Sequence, residues 1–172
     1  MERMIDIQAN SISITYFKIE IEEVIIIFRI VDYQATEPLR KIDETKAFTI
    51  PQSPKKVKLA ELQVHIPKKH ARKNHVELIF TVGIKGITGI AQIVFRVFRD
   101  DQEIFVAQQG IESADSEQFY IVTFQAIDTN VKAGSHKYRV TAENITQGTT
   151  AAVVGPLSFS ALAIAKDHDC DD

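Results

Sequence analysis

From residue 76 to residue 85 apolar and polar side chains alternate with hardly a break. Val76, Leu78, Phe80, Val82 and Ile84 fall on one register, and Glu77, Ile79, Thr81, Gly83 and Lys85 on the other. A period of two gathers the first set on one face of an extended strand, whereas no single face of a helix can collect it. The same texture returns along the chain. Leu62, Val64 and Ile66 share a face within residues 57–66, and Tyr138, Val140 and Ala142 oppose Lys137, Arg139, Thr141 and Glu143. IVFRVFR (93–99) meets EIFVAQQ (103–109) across Asp100 and Asp101, a hairpin whose tight turn needs the positive φ that Asp tolerates. KAFTIP (46–51) is a short strand closed by Pro51, followed by a turn at Pro54. No segment after residue 32 keeps a helical apolar period. About eight short strands with Pro or Gly between them predict an all-β fold, an antiparallel β-sandwich that is jelly-roll-like.

Three stretches read as interruptions. DYQATEPLRKIDE (32–44) is polar and aperiodic, which predicts a leading loop. Gly83, Gly86 and Gly89 predict a flexible connection. Gly155 and Pro156 break 152–165, which suits a bulge or an edge crossing better than a central ladder. The run VIIIFRIV (24–31) follows the acidic Glu20, Glu22 and Glu23 and is far too short for a bilayer, which argues against both a signal peptide and a transmembrane helix. The expected organisation is an N-terminal extension over 1–30, a sandwich domain over 31–166 and an acidic flexible tail over 167–172. The extension reads either as a strand or as sequence translated upstream of the start, Glu22-Glu23-Val24 being what a ribosome-binding sequence would encode.

Strand 119–128 is apolar on both faces: Phe119, Ile121 and Ile127 on one, Tyr120, Val122, Phe124 and Ala126 on the other. A sandwich buries one face of each sheet, so the second face needs another cover. That cover is a loop, the N-terminal segment or another subunit; Phe119, Ile121 and Ile127, or the opposite set, are expected to form an assembly surface of a homo-oligomer, with a trimer ahead of other states.

Candidates for chemistry are few. Twenty basic against 23 acidic residues give a net charge of -3, no broad field for nucleic acid or anionic lipid. His65, His70 and His75 lie five apart amid Lys68, Lys69, Arg72 and Lys73, a spacing that suits no single strand or helix face. They read as a solvated basic loop, with a polyanion patch as the lesser alternative. Asp167, His168, Asp169, Cys170, Asp171 and Asp172 are ligand types without a rigid frame, and Cys170, the sole cysteine, excludes an internal disulfide. No nucleophile elbow, zinc-protease helix, phosphate loop or dinucleotide fingerprint occurs. Nothing fixes the separation of Asp115, Glu117 and Asp128 for glycoside hydrolysis, and there is no Trp for sugar stacking. Asn144-Ile145-Thr146 fits a glycosylation acceptor, a pattern too short to weigh. No catalytic, cofactor or metal set is expected, and no enzyme.

The phrases DYQATEP (32–38), QGIES (109–113), FYIVTFQAIDTNV (119–131), AGSHKYRVTAEN (133–144) and VVGPLSFSALAI (153–164) are similar to the exosporium protein C family of Bacillus-type spore formers. The likeness runs in order through about three-quarters of the chain. Residues 1–30 and the acidic tail depart from it. The resemblance implies a non-catalytic structural component of the exosporium, the outermost spore layer, with other exosporium or spore-coat proteins as partners. The alternative is a ligand-binding sandwich at the spore surface, for carbohydrate or glycoprotein, using loops around His65 to His75 or Gly83 to Gly89.

Overall fold

A computed structural model describes residues 26–113 and 118–168. Nine strands follow in order: β1 (Ile26–Leu39), β2 (Phe48–Thr49), β3 (Val57–Ile66), β4 (Asn74–Thr88), β5 (Ala91–Arg99), β6 (Gln102–Ile111), β7 (Phe119–Thr129), β8 (Gly134–Asn144) and β9 (Thr150–His168). The only helical elements among the described residues are 3-10 turns at Glu44–Lys46 and Lys68–His70.

The long strands pair as a nested set, β1 with β9, β3 with β8, β4 with β7 and β5 with β6, every pair antiparallel. Further ladders between β4 and β9 and between β5 and β8 roll this ribbon into two sheets. Their strand orders are β1-β9-β4-β7, with β2 added on β9, and β3-β8-β5-β6. That is the connectivity of a jelly roll.

The predicted inward faces are the core. Val64, Ile66, Val76, Phe80, Val82, Ile84, Ile93, Phe95, Val97, Tyr138 and Val140 are fully buried. Phe80 sits at the centre of the rings, 5.1 Å from Phe124, 6.1 Å from Phe159 and 6.3 Å from Phe95 between centroids. The hairpin turn is as expected, with Asp100 at φ 54° and Arg99 opposite Gln102.

Three expectations are corrected. Residues 32–39 are not a leading loop but the second half of β1, which starts at Ile26 and so crosses the boundary placed after residue 30. Its register slips between Ile30 and Asp32 and again between Thr36 and Leu39, and such bulges erase the alternation that would have marked a strand. Gly155 and Pro156 do interrupt a ladder, but β9 is central, flanked by β1 and β4. The chain tolerates this because the interruption is a bulge, Val154, Gly155 and Pro156 standing opposite Gly83 alone between Val82↔Leu157 and Ile84↔Val153, and the freed Val154 carbonyl accepts from Asp43 N at 2.8 Å. Gly83 and Gly86 lie within β4 and are not a flexible link. A Cβ on Gly83 would stand 1.9 Å from the Gly155 carbonyl oxygen, and one on Gly86 1.9 Å from that of Glu112, so glycine is needed for backbone approach.

Candidate assembly surface

β7 is an edge strand, in unbroken register with β4 from Lys85↔Phe119 to His75↔Thr129. Its even-numbered residues Tyr120, Val122, Phe124 and Ala126 turn inward against the core. The odd set turns out, leaving Phe119 49%, Ile121 63% and Ile127 63% exposed. The sequence reading had placed these three on one face. It missed their neighbours at the opposite edge, where Phe28, Ile30 and Tyr33 of β1 are 64%, 67% and 60% exposed. The register spans the face between them: Tyr33 lies opposite Leu162, Leu162 opposite Glu77, and Glu77 opposite Ile127. Glu77 interrupts this row, and exposed Ile79, the next outward residue of β4, lies between Ser160 and Gln125, so apolar side chains alternate with polar ones across the face. Polar relief is local. Lys85 Nζ sits 4.9 Å from the Phe119 ring centroid, and the Thr81 and Thr123 hydroxyls are 3.1 Å apart.

The outer face of the other sheet has the opposite chemistry. Arg96 donates to Glu143 at 3.0 Å and to Glu103 at 2.9 Å, Lys137 Nζ lies 3.8 Å from Glu61, and the Arg139 guanidinium covers the Phe98 ring at 5.2 Å. Burial pushes the Glu143 carboxyl upward, but hydrogen bonds from Ser53 and Arg96 outweigh it and hold the group below its ordinary range. That face pairs its own charges and meets water, whereas the β9 sheet leaves large apolar side chains uncovered. Contiguous apolar surface rimmed by polar groups is the usual mark of an interaction site.

The other candidates do not converge. Among the described residues no three His, Cys, Asp or Glu side chains could hold a metal together. His65 is the last residue but one of β3, its ring 3.2 Å from the Ser135 hydroxyl; His70 is buried in a 3-10 turn, and His75 lies on β4. Lys68, Lys69, Arg72 and Lys73 are exposed, as a solvated basic loop requires, and the loop is anchored from beneath: buried Asn74 donates to the His70 and Val131 carbonyls at 2.6 and 2.9 Å and accepts from Val131 N at 3.1 Å. Nothing in the pattern of charges signals that Asn. Asp128 is buried in an ion pair with Arg99. The Asn144 amide is buried and spent on Thr149. Asp115, Glu117, Asp169, Cys170, Asp171 and Asp172 lie outside the described residues. Shallow depressions occur among the described residues. One, of about 380 Å³, is lined by Glu44, Lys85, Gly86 and Gln118, and another, of about 410 Å³, by Tyr33, Glu37, Ile79, Ser158 and Ser160. Among the described residues no helix is long and apolar enough to cross a membrane.

No family model matches the chain, and no curated protein matches it. Similar solved structures include that of infectious bursal disease virus Gt strain, 7% identical with a TM-score of 0.40 over 91% of this chain and 42% of that one. The Gx strain structure is 8% identical with a TM-score of 0.42, over 83% of this chain and 33% of that one. TmCBM61 in complex with beta-1,4-galactotriose is 9% identical with a TM-score of 0.24, over 80% and 88%. The chain spans less than half the length of the two viral chains. These likenesses carry no function over to it.

Proposed function

We propose that the chain is a non-catalytic structural component of the outermost layer of bacterial spores, the exosporium, where copies associate with one another and with other exosporium or spore-coat proteins. The observation that carries the structural half of this reading is the uncovered apolar face of the β9 sheet, with Phe119, Ile121 and Ile127 at one edge and Phe28, Ile30 and Tyr33 at the other. A building block needs such a face, and solvent does not stabilise it. The place comes from the similarity of DYQATEP, FYIVTFQAIDTNV and VVGPLSFSALAI to the exosporium protein C family. Nucleic acid and membrane are not partners in this reading. The test is fractionation of a sporulating culture expressing a tagged copy. Recovery from the outer layer of mature spores, and an altered layer without the protein, are the expected results. Confinement to the vegetative cytoplasm overturns the reading, as does turnover by the purified chain that a single side-chain substitution abolishes with the fold intact.

A ligand-binding sandwich is the second reading. It is favoured by the depression in which Tyr33 lies beside Ser158, Ser160 and Glu37, an aromatic ring next to hydroxyls and a carboxylate, as sugar recognition requires. Binding of spore-surface glycans that Tyr33→Ala removes would establish it.

A further inference from the structure

We infer that β7 is a self-pairing edge: two copies of this chain join β7 to β7, antiparallel about a two-fold axis at Phe124, into one continuous ten-stranded sheet. This rests on the reading above as an assembling component and specifies how the copies meet.

An edge strand presents unpaired backbone N–H and C=O groups, and proteins that must stay apart blunt such edges with bulges, prolines, glycines and outward charges. Three of the four edges here are blunted. β1 carries two register slips and Pro38. β3 slips between Lys58 and Ala60, and its His65 N–H is already taken by the Asp32 carboxylate at 2.7 Å. β6 pairs with a slip at Val97/Phe98, and its Glu103 is held by Arg96.

β7 has none of these devices. Its 11 residues, FYIVTFQAIDT, contain no Pro, Gly, Lys or Arg, and its register against β4 never slips. Its single charge, Asp128, faces inward and is consumed by Arg99 and Tyr138. Among the described residues β4 is its only ladder partner, so one long side of its backbone is open.

The side chains point to a second copy as the occupant. An axis at Phe124 sets each residue opposite the one equally far beyond the centre. Exposed Ile121 of one copy then faces exposed Ile127 of the other, twice, while Thr123 faces Gln125 and Phe119 faces Thr129. Inward, Phe124 meets its own copy, extending the ring cluster of Phe80, Phe95 and Phe105. No like charges meet, and directly opposed apolar pairs stabilise antiparallel strands. A two-fold of this kind closes on itself and keeps both outer apolar faces on the same side, free for the next layer of contacts.

The test uses the full chain. Sedimentation should show a dimer whose mass halves in the Ile121→Lys/Ile127→Lys variant, which sets lysine against lysine at two exposed positions without touching the core. In a Cys170→Ser background, Ile121→Cys/Ile127→Cys should form a covalent dimer on oxidation. Neither single cysteine should, because the two sites are about 20 Å apart along one strand. A monomer or a trimer overturns the inference. So does a dimer that survives the lysine pair but dissolves on Ile30→Lys, which would mean stacked faces. A monomer whose β7 amides exchange freely only after residues 1–25 are removed also overturns it, by making that segment the occupant. Spore fractionation reads independently of all these results, so failure of the pairing and failure of the exosporium reading are told apart.

Discussion

Arg99, the last residue of β5, crosses from one sheet to the other and donates through Nη1 to both carboxylate oxygens of Asp128 on β7, at 2.9 Å each. The Tyr138 hydroxyl on β8 donates to the same carboxylate at 2.8 Å. Burial, followed by the neighbouring carboxylate, pushes the Tyr138 phenol well above its usual range, so it stays a donor throughout. Three strands and both sheets are tied at one point, which fixes the edge strand β7 against the core while its other face remains outside.

Asp128→Asn should therefore lower stability by about 2 kcal/mol, since it leaves the largely buried Arg99 guanidinium without its anion. The shift would be read as a lower urea midpoint with an unchanged slope. No change in midpoint would mean that water already screens the pair.

Acid should weaken the domain through two carboxylates. At Asp100 burial pushes upward but is outweighed by hydrogen bonds from His136 and from Lys137 N, and Glu143 is likewise held low by Ser53 and Arg96. Both folded values lie below the unfolded ones, so their contribution is complete above the ordinary carboxylate range and is lost as pH falls through the folded values. Urea midpoints should stay level from neutrality to about pH 4.5 and fall below it. Glu143→Gln should flatten that fall; a midpoint dropping already near pH 6 would contradict the assignment.

Gly83→Ala should abolish cooperative unfolding, because its methyl would stand 1.9 Å from the Gly155 carbonyl oxygen and Gly83 is held in the ladder with β7 opposite Ile121. Gly148→Ala meets nothing within 4 Å and carries only the strain of φ 76°. It should cost about 1 kcal/mol. Equal melts for the two proteins would refute the close approach.

Phe80→Ala removes the ring that touches Phe95, Phe124 and Phe159 and should cost about 4 kcal/mol, a transfer loss plus an unfilled cavity. Calorimetry reads it directly.

Removal of residues 1–30 should leave a cooperatively folding chain, since the pairs from Asp32↔Ala163 to Leu39↔Leu157 remain. Removal through Arg40 strips β9 of its whole β1 partner and should cost the two-state transition. Urea melts of the two truncations decide it, and a sharp transition in the shorter one would make β1 dispensable.

Strand character was legible in the sequence wherever one face meets the core and the other meets water. The alternation of Val76, Leu78, Phe80, Val82 and Ile84 is the burial requirement of a pleated surface, and it needs no knowledge of neighbours. The same logic marked one face of 119–128 as surplus, because a two-layer sandwich has no second interior for it, and the structure decided that this face is Phe119, Ile121 and Ile127. Tertiary structure decided the rest. β1 was hidden because bulges against β9 reset its period, and β9 was demoted because a bulge opposite Gly83 takes Pro156 out of a ladder that continues on both sides of it. Gly83 and Gly86 read as flexible until Gly155 and Glu112 came within contact, and Asp128 read as a spare carboxylate until Arg99 and Tyr138 arrived from the other sheet. Each of these depends on residues distant in sequence meeting at van der Waals range, and a periodicity along one strand holds no information about what lies across the sheet.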